Sequence, residues 1–381
     1  MIPLGLTAAE LPLFHAALTR SHTFTLDVDV LDMEQKPVSS LSPVVTDGQV
    51  NLSDDGEVTR SLSMTFLDPT RSLQLDSDSP SDGALYADRM ISVRHSIRVP
   101  ELGRSVSVPV FCGPLVKFDR TGSEVSVEAQ GKESLAKDDV PTLVCRAGML
   151  TVDAIRTILS ERCGETFFAF PANVRARLGK DVTVGEADEL RPWVVCLALA
   201  KSLGMQLFYD GAGTCRLRKI PVSPVFELLA DADGANITAP VAISHDFTEI
   251  RNRVLVTGAP GITAVATAPA SHPLSPTRLG RNGVPRRKTL FYEDDKLTSR
   301  AAAQAVANRE LGHYLAETIG VSCSIVPAMH LDVLDLGRIT TRDFAAEFRL
   351  RSASMPLGTG GDMTIGWQTR VSRPRERIRL V

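Results

Sequence analysis

The sequence predicts a mainly β protein with an α/β insert: a first β region of closed or nearly closed antiparallel barrel or sandwich type and a second β-rich region, flanking a small α/β unit. Three observations predict this. From Ser21 to Gly131 apolar and polar residues alternate with a period of two, in about seven short runs. Between about Asp138 and Pro221 the period turns helical, and from Asn236 the two-residue alternation returns. The boundaries that follow are an N-terminal arm over 1–20, a first β domain over 21–137, an α/β domain over 138–225 and a second β domain over 226–381.

The opening stretch, MIPLGLTAAELPLFHAAL, has no basic n-region and is interrupted by Glu10 and His15, so it reads as a short helix or arm and not a signal peptide. Phe24, Leu26, Val28 and Val30 then alternate with Thr23, Thr25, Asp27 and Asp29. The same rhythm runs through Leu62–Phe66, Ile91–Val99, Ser105–Val110 and Glu124–Ala129, with shorter candidates at Gln49–Leu52 and Leu115–Arg120. Turn signals stand between them at Asp47-Gly48, Asp55-Gly56, Gly103, Gly113-Pro114 and Thr121-Gly122. One wet and one dry face, repeated this often, is the signature of a closing antiparallel sheet. Asp27 and Asp29, or Glu124 and Glu128, are candidates for the wet face.

Leu75–Ala87 breaks the rhythm with Asp76, Asp78, Asp82 and Gly83. Clustered carboxylates suit a hard cation, but the spacing is not that of an EF-hand and no glutamate closes it, so a solvated loop is the better reading.

In the insert Thr151 is a candidate cap for a helix carrying Val152, Ile155, Ile158 and Leu159. A second helix starts near Pro192, where proline suits the first turn, with Glu186, Asp188 and Glu189 ahead of it on the favourable side of its dipole. Its apolar side carries Trp193, Cys196, Leu197, Ala200 and Leu203, with Trp193 read as a core anchor and Gly204 as the stop. A hairpin follows, Met205–Tyr209 and Cys215–Ile220, around Asp210-Gly211-Ala212-Gly213.

The stretch from Ile250 to Leu315 reads as a strand, IRNRVLVTG, a polar loop holding Pro273, Pro276, Gly280, Gly283 and Pro285, and a helix with Thr298 as its N-cap. Ala303, Ala307, Leu311 and Leu315 form an i, i+4 stripe on that helix. Later strands are expected at Val321–Ile325, at Leu331–Thr341 with a turn at Leu336-Gly337, at Phe348–Arg351 and at Met363–Trp367. The basic tail RVSRPRERIRLV is either a solvated end, the preferred reading, or a segment for an acidic partner surface.

Composition narrows the classes. A hydrophobic content of 43% with 23% charged residues is ordinary for a soluble globular chain, and 381 residues allow two or three domains. The net charge of −3 gives no overall basic field for nucleic acid, and no apolar run is long enough to span a membrane. Cys112, Cys145, Cys163, Cys196, Cys215 and Cys323 show no ligand-like spacing and read as reduced, structural thiols.

No residue is singled out as catalytic, cofactor-binding or metal-ligating. The histidines His15, His22, His95, His245, His272, His313 and His330 stand singly, so HExxH spacing is missing, as are a GxSxG elbow and a Walker loop. Gly258-Ala259-Pro260-Gly261 follows a strand as a phosphate loop would, but ITAVATA behind it reads as strand, so it is a hairpin turn. The acid pairs Asp54-Asp55 and Asp294-Asp295 fall in turns or at a helix start, where acids are expected anyway. Nothing favours an enzyme.

Taken in order, the pieces resemble a known family. VTDGQVNLSDDGEVTRSLSMTFLDP (Val45–Pro69) looks like the first-barrel signature of the tail hub, or baseplate hub, proteins of tailed bacteriophages and related particles. RPWVVCLALAKSLGMQLFYDGAGTCRLRKI (Arg191–Ile220) is similar to their inserted domain. NRVLVTG, the SPT loop and the helix AAQAVANREL resemble the return into the second barrel, and MHLDVLDLGRITTRD with FRLRSASMPLGTGGDMTIGWQTR the closing strands. Each motif is loose and only their order, over about Ser21 to Arg370, is specific.

The resemblance implies two tail-tube-like antiparallel β-barrel domains flanking the α/β domain, and a homotrimer whose barrels form a pseudo-sixfold ring. That ring would join distal tail or tail-tube ring proteins above to fibre, spike or receptor-binding proteins below. It would surround the tape-measure protein and a channel through which DNA passes without specific binding. It implies residence in the virion, at the tail tip, after synthesis in the host bacterial cytoplasm. The chain stops shortly after the second barrel, so wall-degrading or receptor-binding activity is expected on a separate protein. Two other classes compete: an adsorption or carbohydrate-binding module using the Leu75–Ala87 and Pro260–Pro285 loops, for which 5% aromatics is meagre, and a hydrolase, for which no constellation is visible.

Overall fold

The computed structural model describes residues 2, 4–20, 24–41, 45–54, 58–71, 73, 83–185, 187, 190–230, 235–245, 250–293, 297–315, 317–342, 345–358 and 360–371. Asp76, Asp78 and Asp82, the Asp55-Gly56 turn, Glu186, Asp188, Glu189, Asp294, Asp295, His22 and the tail from Ser372 lie outside those residues. The chain divides into two compact units, Met1–Pro240 with Cys323–Gly366, and Val241–Ser322 with Trp367–Val381.

The first unit opens with α1 (Leu11–Leu18), the short helix expected of the arm. Seven strands follow: β1 (Phe24–Leu31), β2 (Pro37–Ser40), β3 (Val45–Ser53), β4 (Arg60–Leu67), β5 (Met90–Val99), β6 (Arg104–Thr121) and β7 (Glu124–Gln130). They pair antiparallel in the order β3-β4-β7-β6-β5-β1-β2. The alternation does what a period of two dictates. Leu62, Met64 and Phe66 of β4 and Val125, Val127 and Ala129 of β7 are buried, and their polar neighbours face outward.

Two glycines read as turns lie inside strands. Gly113-Pro114 sits in the middle of β6, which pairs with β5 up to Pro114 and with β7 from Leu115 onward. Gly113 is there because the carbonyl oxygen of Gln130 lies 1.9 Å from where a Cβ would be. Asp47-Gly48 is likewise within β3, at a register shift between Val45 and Asp47. A Cβ at Gly48 would stand 2.8 Å from both the Met64 Cβ and the Ser63 oxygen. In both places glycine answers a close approach of backbones and not a reversal of the chain. Gly103 and Gly122, both at φ 64°, are turns as expected.

The insert contains β8 (Leu143–Cys145), α2 (Thr151–Cys163), β9 (Phe168–Ala169), β10 (Val182–Val184), α3 (Pro192–Ser202), β11 (Met205–Tyr209) and β12 (Cys215–Lys219). Val152, Ile155, Ile158 and Leu159 of α2 meet Trp193, Cys196 and Ala200 of α3 over the β11–β12 hairpin, in one core. Two local expectations are off. Leu150, not Thr151, occupies the N-cap of α2, and Thr151 is buried in its first turn. Leu197 of α3, next to buried Cys196, is exposed. β13 (Phe226–Leu229) follows the hairpin.

The second unit takes β14 (Ala242–His245), β15 (Arg253–Thr257), β16 (Thr263–Thr267), β17 (Thr289–Glu293), α4 (Arg300–Leu315) and most of β18 (Glu317–Ile325), which pairs with β14. β16, β15 and β17 form their own three-stranded sheet. One face of it is dry: Val254, Val256, Ala264 and Ala266 pack against Ala303, Ala307 and Leu311, the expected stripe of α4. The N-cap is Ser299, whose Oγ accepts the Ala302 N–H at 3.2 Å, and not Thr298. The Gly258–Gly261 segment is the expected hairpin turn, with the Gly258 N–H on the Ile262 oxygen at 2.9 Å. β17 was not legible in the sequence. It is five residues long, directly follows the proline-rich loop, and lies parallel to β15.

Returning to the first unit, β19 (Leu336–Thr340), β20 (Ala345–Pro356) and the Met363–Gly366 part of β21 (Met363–Val371) join the large sheet. The Ala345–Arg349 part of β20 pairs with β19, and its Ser352–Pro356 part with β3. β13 runs parallel to β19 along Phe226–Leu229. Strands more than two hundred residues apart thus share one sheet, and among the described strands no sheet closes on itself. The expected turn at Leu336-Gly337 is strand. The reversal comes earlier, at Asp332–Asp335, where Leu334 takes φ 62°. Gly337 is needed for a different reason: a Cβ there would lie 2.4 Å from the Phe226 ring, which meets Phe348 edge-on.

Candidate functional site

Titratable groups converge most densely inside the first unit, where a strand, the insert and the β19 approach meet. Arg60, the first residue of β4, is 2% exposed. Its Nη2 meets Asp332 Oδ1 at 2.8 Å, its Nη1 donates to the Val110 oxygen at 2.9 Å and its Nε to the Tyr209 oxygen at 3.4 Å. One guanidinium therefore ties β4 to β6, β11 and the Asp332 turn. Lys132 is also buried. Its ammonium pairs with Glu165 at 2.7 Å, donates to the Gly213 oxygen at 3.1 Å and stands 5.4 Å from the Phe167 and Tyr209 ring centres. Arg218 Nη1 reaches Asp335 at 3.1 Å and its Nη2 donates to the Val333 oxygen at 2.7 Å.

The carboxylates here are consumed by the fold. Asp210 Oδ1 accepts the N–H groups of Ala212 and Thr214 at 2.9 and 3.0 Å, closing the hairpin turn, while Oδ2 pairs with Arg216. Asp335 Oδ2 accepts the Asp332 N–H at 2.9 Å. Burial pushes the Asp335 carboxyl above the ordinary aspartate range, with neighbouring Asp332 adding to the rise. Burial pushes Glu133 up as well, against the hydrogen bond it accepts from the Thr59 hydroxyl. A catalytic acid or base must present a lone pair or proton to a substrate. Apart from Glu133, whose Oε1 takes the Thr59 hydroxyl while Oε2 is buried without a partner among the described residues, these groups present theirs to arginine, lysine and backbone.

The thiols are inert for the same reason. All six cysteines are free, and burial pushes Cys112 up to about 11 and Cys163 and Cys323 to about 12, far from the thiolate range at neutral pH. Two histidines that stand 315 positions apart meet: the rings of His15 on α1 and His330 stack at 5.2 Å, with Phe14 edge-on to His330 at 5.4 Å. Burial, then the neighbouring His15, lowers His330 to about 3, so the ring is neutral. The pair borders a cleft of about 580 Å³ whose other walls include Phe226, Leu228 and Ile325. Trp193 is the core anchor expected, stacked on Tyr209 at 5.6 Å. Among the described residues, no group of three histidine, cysteine or acidic side chains converges as a metal-ligand set.

What the unit shows to solvent is a wet sheet face. Across β4 and β7, Ser61 opposes Gln130, Ser63 opposes Glu128 and Thr65 opposes Ser126. β3 and β20 continue it with Gln49, Asn51, Ser352 and Ser354, where the Ser354 hydroxyl lies 3.1 Å from Gln49 Oε1. Glu124 and Glu128 are exposed on this face as expected. Asp27 and Asp29, the other candidates, are only half-exposed, and Asp29 is paired with Arg94 at 2.8 Å.

The second unit shows the opposite kind of surface. Opposite α4, the sheet carries an apolar row: Leu255 of β15 stands between Val265 of β16 and Phe291 of β17. Val265 is 41% and Phe291 71% exposed. The loop leading into β17 exposes Arg278, Arg281, Arg286 and Arg287. It is not loose. Buried Asn252 donates from Nδ2 to the Leu274 and Arg286 oxygens at 3.2 and 2.9 Å, and its Oδ1 accepts the Lys288 N–H at 2.8 Å. Arg281 and Val284 exchange both backbone hydrogen bonds around an Asn282-Gly283 turn with φ 54° and 75°. Asn252 could not be picked out beforehand, since a strand asparagine reads as an ordinary polar alternation.

No protein-family model matches this chain, and no curated protein does. Solved structures do. A tail protein from Neisseria meningitidis aligns at a TM-score of 0.58 and 15% identity, over 91% of this chain and 97% of that one. The 43 kDa tail protein of prophage MuSo2 from Shewanella oneidensis gives 0.59 and 13%, over 90% and 98%. A prophage tail protein from Listeria monocytogenes gives 0.50 and 9%, over 90% and 94%. At such identities the likeness is one of fold, and the chain has the fold of prophage tail proteins.

Proposed function

We propose that this chain is a structural component of a phage-type tail tip: a trimeric hub ring that closes the distal tail around its DNA channel. The observation that carries the reading is the fold likeness to tail proteins, which runs along nine-tenths of this chain and nearly the whole of theirs. In this reading residues 21–137 and 226–381 are two tail-tube-like β domains, open sheets among the described strands and not closed barrels within one chain, 138–225 is the α/β domain between them, and 1–20 is an arm. Three chains then offer six such β domains to a distal tail or tail-tube ring above. Fibre, spike or receptor-binding proteins attach below, and the tape-measure protein and DNA pass through the middle. The chain works in the virion after synthesis in the bacterial cytoplasm, without catalysis, cofactor or metal.

The wet face of β20, β3, β4 and β7 suits the wall of such a channel. On β3, β4 and β7 that face is serine, threonine, asparagine and glutamine with Glu124 and Glu128. The two arginines of β20 are engaged, Arg349 with the Leu334 oxygen and Arg351 with Asp54, so phosphate finds little to hold and DNA slides past. The test is a reconstruction of tail particles. Three copies of this chain beneath a six-fold tube are expected, and particles in which the chain is absent or present in another stoichiometry would sink the reading.

A further inference from the structure

We propose that the face of the second unit's sheet opposite α4, with the arginine loop that leads into it, is the surface by which one copy of this chain docks on the next. A sheet with one side under a helix has no need of apolar residues on the other. Yet Leu255, Val265 and Phe291 form a cross-strand row there, roughly 10 Å wide at the usual strand spacing. A protein interface is an apolar centre within a polar rim, with arginine enriched over the rest of the surface. Arg253 lies on the row's own face two residues from Leu255, and exposed Arg281, Arg286 and Arg287 stand on the loop that runs into β17, held by Asn252. A preordered loop loses little conformational entropy on binding.

The charges say what covers the row. Residues 251–293, from the approach to β15 to the end of β17, contain seven lysines and arginines (Arg251, Arg253, Arg278, Arg281, Arg286, Arg287, Lys288) and one acid, Glu293 at the far end of the row's face. That is a net +6 in a chain of −3, so the rest carries −9. A nucleic acid would use the arginines and leave the apolar row wet. A protein surface with acidic surroundings uses both, and the remainder of a second copy is such a surface. Contact between two different patches, repeated by rotation, closes into a ring. The inference thus rests on the ring reading and names the surface that builds it.

The test is the mass of the purified full-length chain by light scattering, against concentration and salt, for three variants. Phe291→Glu places a charge in the row, Arg281→Glu with Arg286→Glu reverses the rim, and Phe291→Leu keeps the row apolar. All sit at exposed positions or in the loop, so unchanged circular dichroism and melting are expected. The native chain and Phe291→Leu should assemble, and the other two should dissociate at least tenfold more readily. Raising sodium chloride from about 0.1 to about 0.5 M should weaken the native assembly, because screening shortens the reach of the rim charges. Native assembly with both charge variants assembling alike would overturn this surface and leave the ring reading standing. A native chain monomeric at every concentration would overturn both.

Discussion

The two units use charge in opposite ways. In the first, Arg60, Lys132, Asp210, Glu165, Asp332 and Asp335 are drawn into the interior with half-buried Arg218 beside them, and each ends on a partner within 3.1 Å. In the second, the core under α4 is alanine, valine and leucine, and the cations stand outside on a loop. A buried ion pair is worth little against an apolar pair of the same shape but costs much to break. It therefore fixes which segments meet. An exposed guanidinium fixes nothing inside and remains available to another chain. The same side chain is a joint in one unit and a contact in the other, and burial decides which.

That contrast can be broken from its strongest point downward. Val254→Asp puts a carboxylate at a fully buried position under α4. It should destabilise the second unit by at least about 4 kcal/mol, since an unpaired charge has no partner in that core. Limited proteolysis should then cut within 250–315 while the first unit stays intact. Cutting spread evenly over the chain would contradict the division into two units.

Asp332→Ala strands the buried Arg60 and should cost about 3–5 kcal/mol in urea unfolding. The double variant Arg60→Met, Asp332→Leu should recover most of that loss. If the double change is as harmful as the single one, the pair does more than join segments. Asn252→Ala should cost about 1–3 kcal/mol for the groups it leaves unpaired. More tellingly, amide exchange in 274–288 should speed up while that of α4 does not, and equal protection of the loop in the variant would refute the clamp.

The smallest effect concerns pH. His330 is held at about 3 in the fold against an ordinary 6.5, so the unfolded chain binds its proton first as pH falls. Its neutral state costs nothing above pH 6.5, and stability is lost progressively between 6.5 and 3, by about 2 kcal/mol at pH 5. Glu133 and Asp335, raised by burial, act in the opposite sense. The measurement is therefore the difference between the native chain and His330→Phe, whose melting temperature should fall less between pH 7 and 5. Parallel curves would show that His330 is not held neutral.

Much of this was legible beforehand. The alternation at Leu62–Phe66 and Val125–Ala129, the stripe on α4 and the hairpin around Asp210–Gly213 all follow from local periodicity, and each stands where the residues put it. The failures share a cause. Gly48, Gly113 and Gly337 read locally as turns, whereas each makes room for a backbone or ring from another segment. β17 hid behind a proline-rich loop, and its apolar Phe291 gave no hint that it would face solvent.

By itself, then, the sequence determined the periods, and with them the class: strands, a helical insert, strands again, with dry and wet faces assigned. Only the tertiary structure decided that β3 would take β20 as its neighbour, that Arg60 would find Asp332 across 272 positions, and that Leu255, Val265 and Phe291 would line up on an open face. The reason is range. A side-chain period is set by neighbours two to four residues away, while a sheet edge, a buried charge and an exposed row acquire their partners only when remote segments are brought together.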